Sequence, residues 1–155
     1  MAIAAALVLG ACMTPPPAPG QPRSEVLRAW GPPTGQYDLG QGAQRLEYAT
    51  GPFGKSTWMV DLDAAGRVTG ARQVLTESAL MDFQGRAPGM PRDELLSTLG
   101  RPGNVRGGGW QGGEVWGWRY ETNECLWFLV SLGDDQRVRD GGFYPDPTCD
   151  RPSGP

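Results

Sequence analysis

Period-two alternation of apolar and polar residues is strongest in two places along the chain. Leu46 and Tyr48 alternate with Arg45 and Glu47, and Trp58, Val60 and Leu62 alternate with Thr57, Met59 and Asp61. Some seventy residues later the pattern returns with Trp116, Trp118 and Tyr120, then with Leu126, Phe128, Val130 and Leu132. Turn sequences Asp63-Ala-Ala-Gly66 and Gly133-Asp-Asp-Gln136 each lead into a further strand, beginning at Val68 and Val138.

Ahead of each strand group lies a helical pattern. Val26, Leu27 and Trp30 in one, and Leu95, Leu96 and Leu99 in the other, fall on a single stripe at spacings of one, three and four. Pro22 and Pro91 suit the first helical position, while Gly31 and Gly100 suit the left-handed position past the last turn, with Pro33 and Pro102 preventing continuation. Helices this short are unstable alone and must pack on the strands.

These parallels are an internal repeat. Residues 20–33 recur as residues 89–102, offset by 69 without a gap, with seven of fourteen positions identical; downstream, Trp58-Met-Val-Asp-Leu62 faces Phe128-Leu-Val-Ser-Leu132 at an offset of 70. The pattern therefore predicts an α+β fold of two tandem helix-strand-strand-strand units, short helices on antiparallel sheet, the copies either sharing one sheet or packing side by side. Residues 76–87, with Leu80, Met81 and Phe83, connect them.

Residues 2–9 are an apolar run of eight, long enough for the core of a signal peptide and far short of the ~20 needed to span a bilayer. The run ends in Leu9-Gly10-Ala11-Cys12, which resembles the lipobox of bacterial lipoproteins and makes Cys12 the candidate acylation site. An ordinary signal peptide with an incidental cysteine is the other reading. Five prolines in residues 13–22 read as an extended spacer able to hold a folded body up to ~30 Å from a membrane. The organisation expected is a signal peptide over 1–11, a Pro-rich linker over 12–22, repeats over 23–87 and 88–150, and a disordered tail over 151–155.

Composition narrows the chemistry. A net charge of −3, 39% hydrophobic and 20% charged residues fit a folded body and give no nucleic-acid footprint. Gly 24 and Pro 15 fall mostly between apolar runs, as turns. With no histidine, the side chain best suited to proton transfer near neutral pH is missing, and so is the commonest metal ligand. No catalytic residue, cofactor, metal or small-molecule substrate is expected.

The Gly-Met-x-x-x-Glu-Leu/Val-x-x-x-Leu-Gly-x-Pro motif at residues 89–102, the Trp-x-Trp-x-Tyr strand and the hairpin after it, behind a lipobox and a proline-rich spacer, resemble the SmpA/OmlA (BamE-like) lipoproteins. The tandem arrangement is similar to the duplicated fold of the β-lactamase-inhibitor-protein group. The first resemblance implies an outer-membrane lipoprotein, body in the periplasm, that binds an envelope protein such as the β-barrel assembly machinery. The second implies a periplasmic inhibitor or sensor-type binding module. Both copies have Pro where the family motif has Ser or Thr opening the helix.

Cys125 and Cys149 are the other thiols; in an exported protein a disulfide between them would pin the tail to the sheet and add roughly 3 kcal/mol. Trp110 sits in the glycine-rich stretch 107–113, either reaching a partner or folding back over the core. Trp127 and Leu129 give their strand a second apolar face, which either joins the repeats or lines a partner-binding surface. Residues 49–56 loosely match a phosphate-binding loop, but the alternation after Ser56 reads as a strand instead of the helix such a loop needs. Asp61, Asp63 and Gly66 suggest the start of a calcium loop, yet Ala65 occupies a ligand position, so a β-turn is expected there and at Asp134 and Asp135.

Overall fold

The computed structural model describes residues 14–51 and 54–149; the apolar run 2–9, Cys12 and the tail 151–155 lie outside the described residues. In chain order the elements are α1 (Arg23–Trp30), β1 (Gly35–Gly40), β2 (Ala43–Ala49), β3 (Thr57–Leu62), β4 (Val68–Gln73), α2 (Glu77–Arg86), α3 (Arg92–Leu99), β5 (Asn104–Gly107), β6 (Glu114–Arg119), β7 (Leu126–Leu132) and β8 (Val138–Pro145). They form an α+β fold with two separate four-stranded antiparallel sheets, ordered β1-β2-β3-β4 and β5-β6-β7-β8. The copies do not share a sheet.

Each of α1 and α3 is followed by four strands, where the sequence pattern predicts three. The additional ones, β1 and β5, are edge strands with mostly exposed side chains. They carry no apolar alternation because neither face is fully buried; the ladders to β2 and β6 hold them in place. The connecting segment folds as α2, its first turn capped by Thr76, whose Oγ1 accepts the Ala79 N–H at 3.2 Å.

Pro22 and Pro91 stand one position earlier than expected. Both are extended, at the N-caps of α1 and α3, and bridge to Arg67 and Arg137 in the hairpins before β4 and β8. A proline N-cap offers no side-chain acceptor. The first helical N–H groups instead donate across to the hairpins, Arg23 to the Gly66 carbonyl at 2.8 Å and Arg92 to the Gln136 carbonyl at 2.9 Å. Each helix start is thus welded to the turn of its own sheet. At the other end Gly31 and Gly100 have φ of 78° and 80°, as a helix stop with a glycine requires.

The inner faces of the two sheets repeat one another. Val26 of α1 packs on Leu46, Val60, Leu62 and Val68; Leu95 of α3 packs on Trp116, Val130, Leu132 and Val138. The second core is larger, because Leu80 and Phe83 of α2 join it from one side and Met59 joins it from the back of the first sheet. The layers therefore run α1, first sheet, α2 with α3, second sheet.

Contact between the copies is made by that back face. Arg45 donates to the Ser97 carbonyl at 2.8 Å while its guanidinium pairs with Asp61, and Arg101 donates to the Thr34 carbonyl at 2.8 Å. Burial alone would raise the Asp61 pKa, but the hydrogen bonds from Arg45 and Arg72 outweigh it and hold the carboxyl below its ordinary range. Gly100 lies against the same face, where a Cβ would stand 2.9 Å from Thr57 Cγ2 and 3.1 Å from Glu47 Cδ, so side-chain bulk and positive φ both demand glycine there. Glu47 is fully buried and satisfied by the Thr34 hydroxyl at 3.0 Å and the Tyr37 hydroxyl at 2.5 Å. Burial, then the bond to Glu47, pushes the Tyr37 phenol well above its ordinary pKa.

Candidate functional aromatic cleft

The repeat allows the two units to be laid over each other residue by residue, and they agree closely except at one end. Tyr48 donates its hydroxyl to the Gly31 carbonyl at 3.1 Å, and at the matching place Trp118 donates its indole N–H to the Gly100 carbonyl at 3.3 Å. Both bonds satisfy a helix-terminal acceptor and fix an aromatic ring beside the last turn. Beyond this point the units part.

In the second unit the ring of Trp118 is buried among Leu99, Phe128, Tyr120 and Phe83. Phe128 stands at the centre, with Phe83 and Phe143 edge-on at 5.9 and 5.0 Å, and Tyr120 meets Phe143 at 5.7 Å. In the first unit Trp30 occupies the place of Leu99 and Trp58 that of Phe128, but Thr50 replaces Tyr120 and Gln73 replaces Phe143. Gln73 turns away to hold its own backbone, bonding the N–H and carbonyl of Leu75. Among the described residues too little side-chain volume remains to close the end, and an open cavity of about 600 Å³ results.

Trp30, Tyr48 and Trp58 form its floor, all three half-buried. Trp30 stands edge-on to both other rings, at 5.2 Å from Tyr48 and 5.7 Å from Trp58, so their mutual geometry is set before anything binds. Thr34, Thr50 and Ser56 supply hydroxyls at the edge, and the proline-rich segment supplies one wall through Thr14 and Pro16. That segment is anchored: the Trp30 indole N–H donates to the Pro15 carbonyl at 3.3 Å, and Pro17 is buried. Among the described residues no Asp, Glu, Lys or Arg side chain lines the cavity. Tyr48 is the one titratable group among its described lining residues, and burial raises its pKa, so it stays a neutral phenol at physiological pH. The described lining is suited to apolar and aromatic groups and offers a few hydrogen bonds.

The residues singled out by sequence fall elsewhere. Cys125 and Cys149 are paired, Cα to Cα 6.3 Å, at the closed end of the second unit. The same end is tied by the Arg119–Asp146 ion pair at 2.5 Å and by the Asp146 N–H to the Cys125 carbonyl at 2.9 Å. Asp146 is buried, yet Arg119 and Thr148 outweigh that burial and bring its pKa down to about 2. Trp110 does not fold back over the core: it is fully exposed on a 3-10 turn, Gly109–Gln111. Bonds from Gly108 to Gly113, from Gly113 to Asp134 and from Arg139 to Gln111 hold that turn.

Trp127 and Leu129 lie on the face of the second sheet opposite its core, closing over Gly117, with Arg106 and Arg119 stacked on the Trp127 ring at 5.7 and 5.3 Å. The copies meet instead through Met59 and Gly100. After Ser56 comes β3, so no helix dipole faces residues 49–56, and residues 52–53 of that loop lie outside the described residues. Asp63 caps its own turn, accepting from Ala65 and Arg67, and Asp134 accepts from Gly113. Among the described residues no three His, Cys, Asp or Glu side chains gather as a metal site.

Sequence reasoning placed Trp30, Tyr48 and Trp58 in the core and did not single them out as a site. The signal that finds them is the difference between repeats, Thr50 against Tyr120 and Gln73 against Phe143, and not any motif. Fold and cleft together define an α+β body of short helices and two four-stranded antiparallel sheets, with an aromatic cleft open at one end. No protein-family model, curated protein or solved structure matches the chain.

Proposed function

We propose that this chain is a non-catalytic outer-membrane lipoprotein of the SmpA/OmlA (BamE-like) kind, held through an acyl group on Cys12 with its body in the periplasm. It binds an envelope protein in support of outer-membrane protein assembly or envelope integrity. The finer reading of its fold is two tandem BamE-like units. The observation that carries the reading is the aromatic cleft of Trp30, Tyr48 and Trp58, its described lining free of charged side chains and walled by the segment that leads back to Cys12. A preformed apolar surface with a few hydroxyls at its edge suits association. The test is to express the full-length protein and Cys12→Ser, separate soluble from membrane fractions, and identify cross-linked proteins. Membrane retention lost in the variant, with assembly-machine components among the cross-links, is the expected result; a soluble wild type sinks the anchored reading.

One observation favours a second reading, a periplasmic inhibitor or sensor-type module. Trp110 projects fully exposed from a turn held by Asp134 and Arg139, the form of an aromatic anchor for a partner's pocket. Under that reading Trp110→Ala abolishes tight one-to-one binding to a periplasmic enzyme and leaves membrane fractionation unchanged.

A further inference from the structure

The closed end of the second unit shows what is missing from the open end of the first. From residue 18 onward the first unit enters α1 along the path by which the second enters α3. Gln21 and Met90 donate to Ala18 and Ala87, Gly20 and Gly89 donate to Val68 and Val138, and Arg67 and Arg137 reach the carbonyls of Gly20 and Gly89. Before that point α2 brings Leu80 and Phe83, three positions apart on one helical face, onto Phe128. In the first unit the corresponding stretch holds Pro15, Pro16 and Pro17, which lack the N–H groups of a helix and clash with its preceding turn. By the same offset of 69, Thr14 stands where Phe83 would. The seat is present, with Trp58 in the place of Phe128, and the described part of the corresponding stretch, residues 14–17, does not enter it as a helix.

We infer that the cleft over Trp30, Tyr48 and Trp58 is the docking seat for a short amphipathic helix of a protein partner, which inserts an aliphatic and an aromatic side chain three residues apart as α2 does in the second unit. The helix lies beside the Pro15–Pro16 wall. This rests on the reading that the chain binds another protein, and names the element by which it does so.

The probe is a fluorescent synthetic peptide with the sequence of residues 76–88, which contains Leu80 and Phe83. It is titrated against the purified full-length protein without detergent and followed by anisotropy. Binding is expected, and it is lost when both Leu80 and Phe83 of the peptide are alanine. Thr50→Tyr, which imports the side chain that closes the second unit, weakens binding at least about tenfold, whereas Thr50→Val, which keeps the space, does not. Ala29→Leu narrows the cleft from α1 and gives the same loss should Thr50→Tyr fail to fold. Equal binding by wild type and both filled variants overturns the proposal. So does absence of binding near millimolar peptide, or preference for a Pro-Pro-Pro-Ala-Pro peptide or for palmitate. Peptide binding is read independently of membrane retention, so failure here and failure of the Cys12 fractionation are told apart.

Discussion

The two units share a core pattern and differ in how their ends are finished. In the second, α2, Tyr120 and Phe143 close the apolar end, and the disulfide and the Arg119–Asp146 pair tie the tail beside it. In the first, a proline segment, Thr50 and Gln73 stand at the same places, and three aromatic rings remain half-exposed. Closing an end with aromatic side chains adds stability; leaving it open keeps apolar surface available to a partner at the cost of that burial. The contrast separates a second unit closed on itself from a first unit whose aromatic end stays open.

The sharpest test of the contrast is a pair of substitutions at matching positions. Phe83→Ala removes a fully buried ring and should lower unfolding free energy by about 3–5 kcal/mol in urea denaturation, whereas Thr14→Ala should change it by less than about 0.5 kcal/mol. Comparable effects would break the comparison. Replacing Cys125 and Cys149 together by serine should cost roughly 3 kcal/mol by the same measurement, if the closed end depends on pinning the tail.

The closed end also carries a pH dependence. The Asp146 pKa is depressed from 3.8 to about 2, so its contribution is fully present above the ordinary carboxylate range and is lost as pH falls through about 2. Asp146→Asn should remove about 2 kcal/mol at neutral pH and flatten the acid limb of a stability–pH curve; an unchanged acid limb would show the Arg119 pair to be idle. At the open end Trp30→Ala, truncating a half-buried ring, should cost about 1–2 kcal/mol. Because it also removes the bond to Pro15, residues 14–20 should become cleavable under limited proteolysis; continued protection would place the anchoring of that segment elsewhere.

Much of the fold was legible because its determinants are local. The helix stripes, the Gly31 and Gly100 stops, the hairpins at Asp63 and Gly133 and the alternation of β3 and β7 each follow from residues close in sequence. The edge strands β1 and β5 were not legible, since strands without a buried face carry no alternation and are held by the backbone ladder alone. The placement of Trp127 also escaped: two apolar faces mark a strand, but nothing in sequence says that one of them closes over Gly117 on the far side from the other copy.

The sequence by itself determined the duplication, the α+β class and the glycine stops of α1 and α3, because glycine, proline and apolar spacing act on the chain within a few residues. Only the tertiary structure decided that Met59 and Gly100 join the copies, that Cys125 meets Cys149, and that Trp30, Tyr48 and Trp58 remain partly uncovered. Whether an aromatic residue is core or site depends on what volume the rest of the chain brings to it, and that is settled by Thr50, Gln73 and the prolines near Thr14, residues scattered along the chain and gathered by folding.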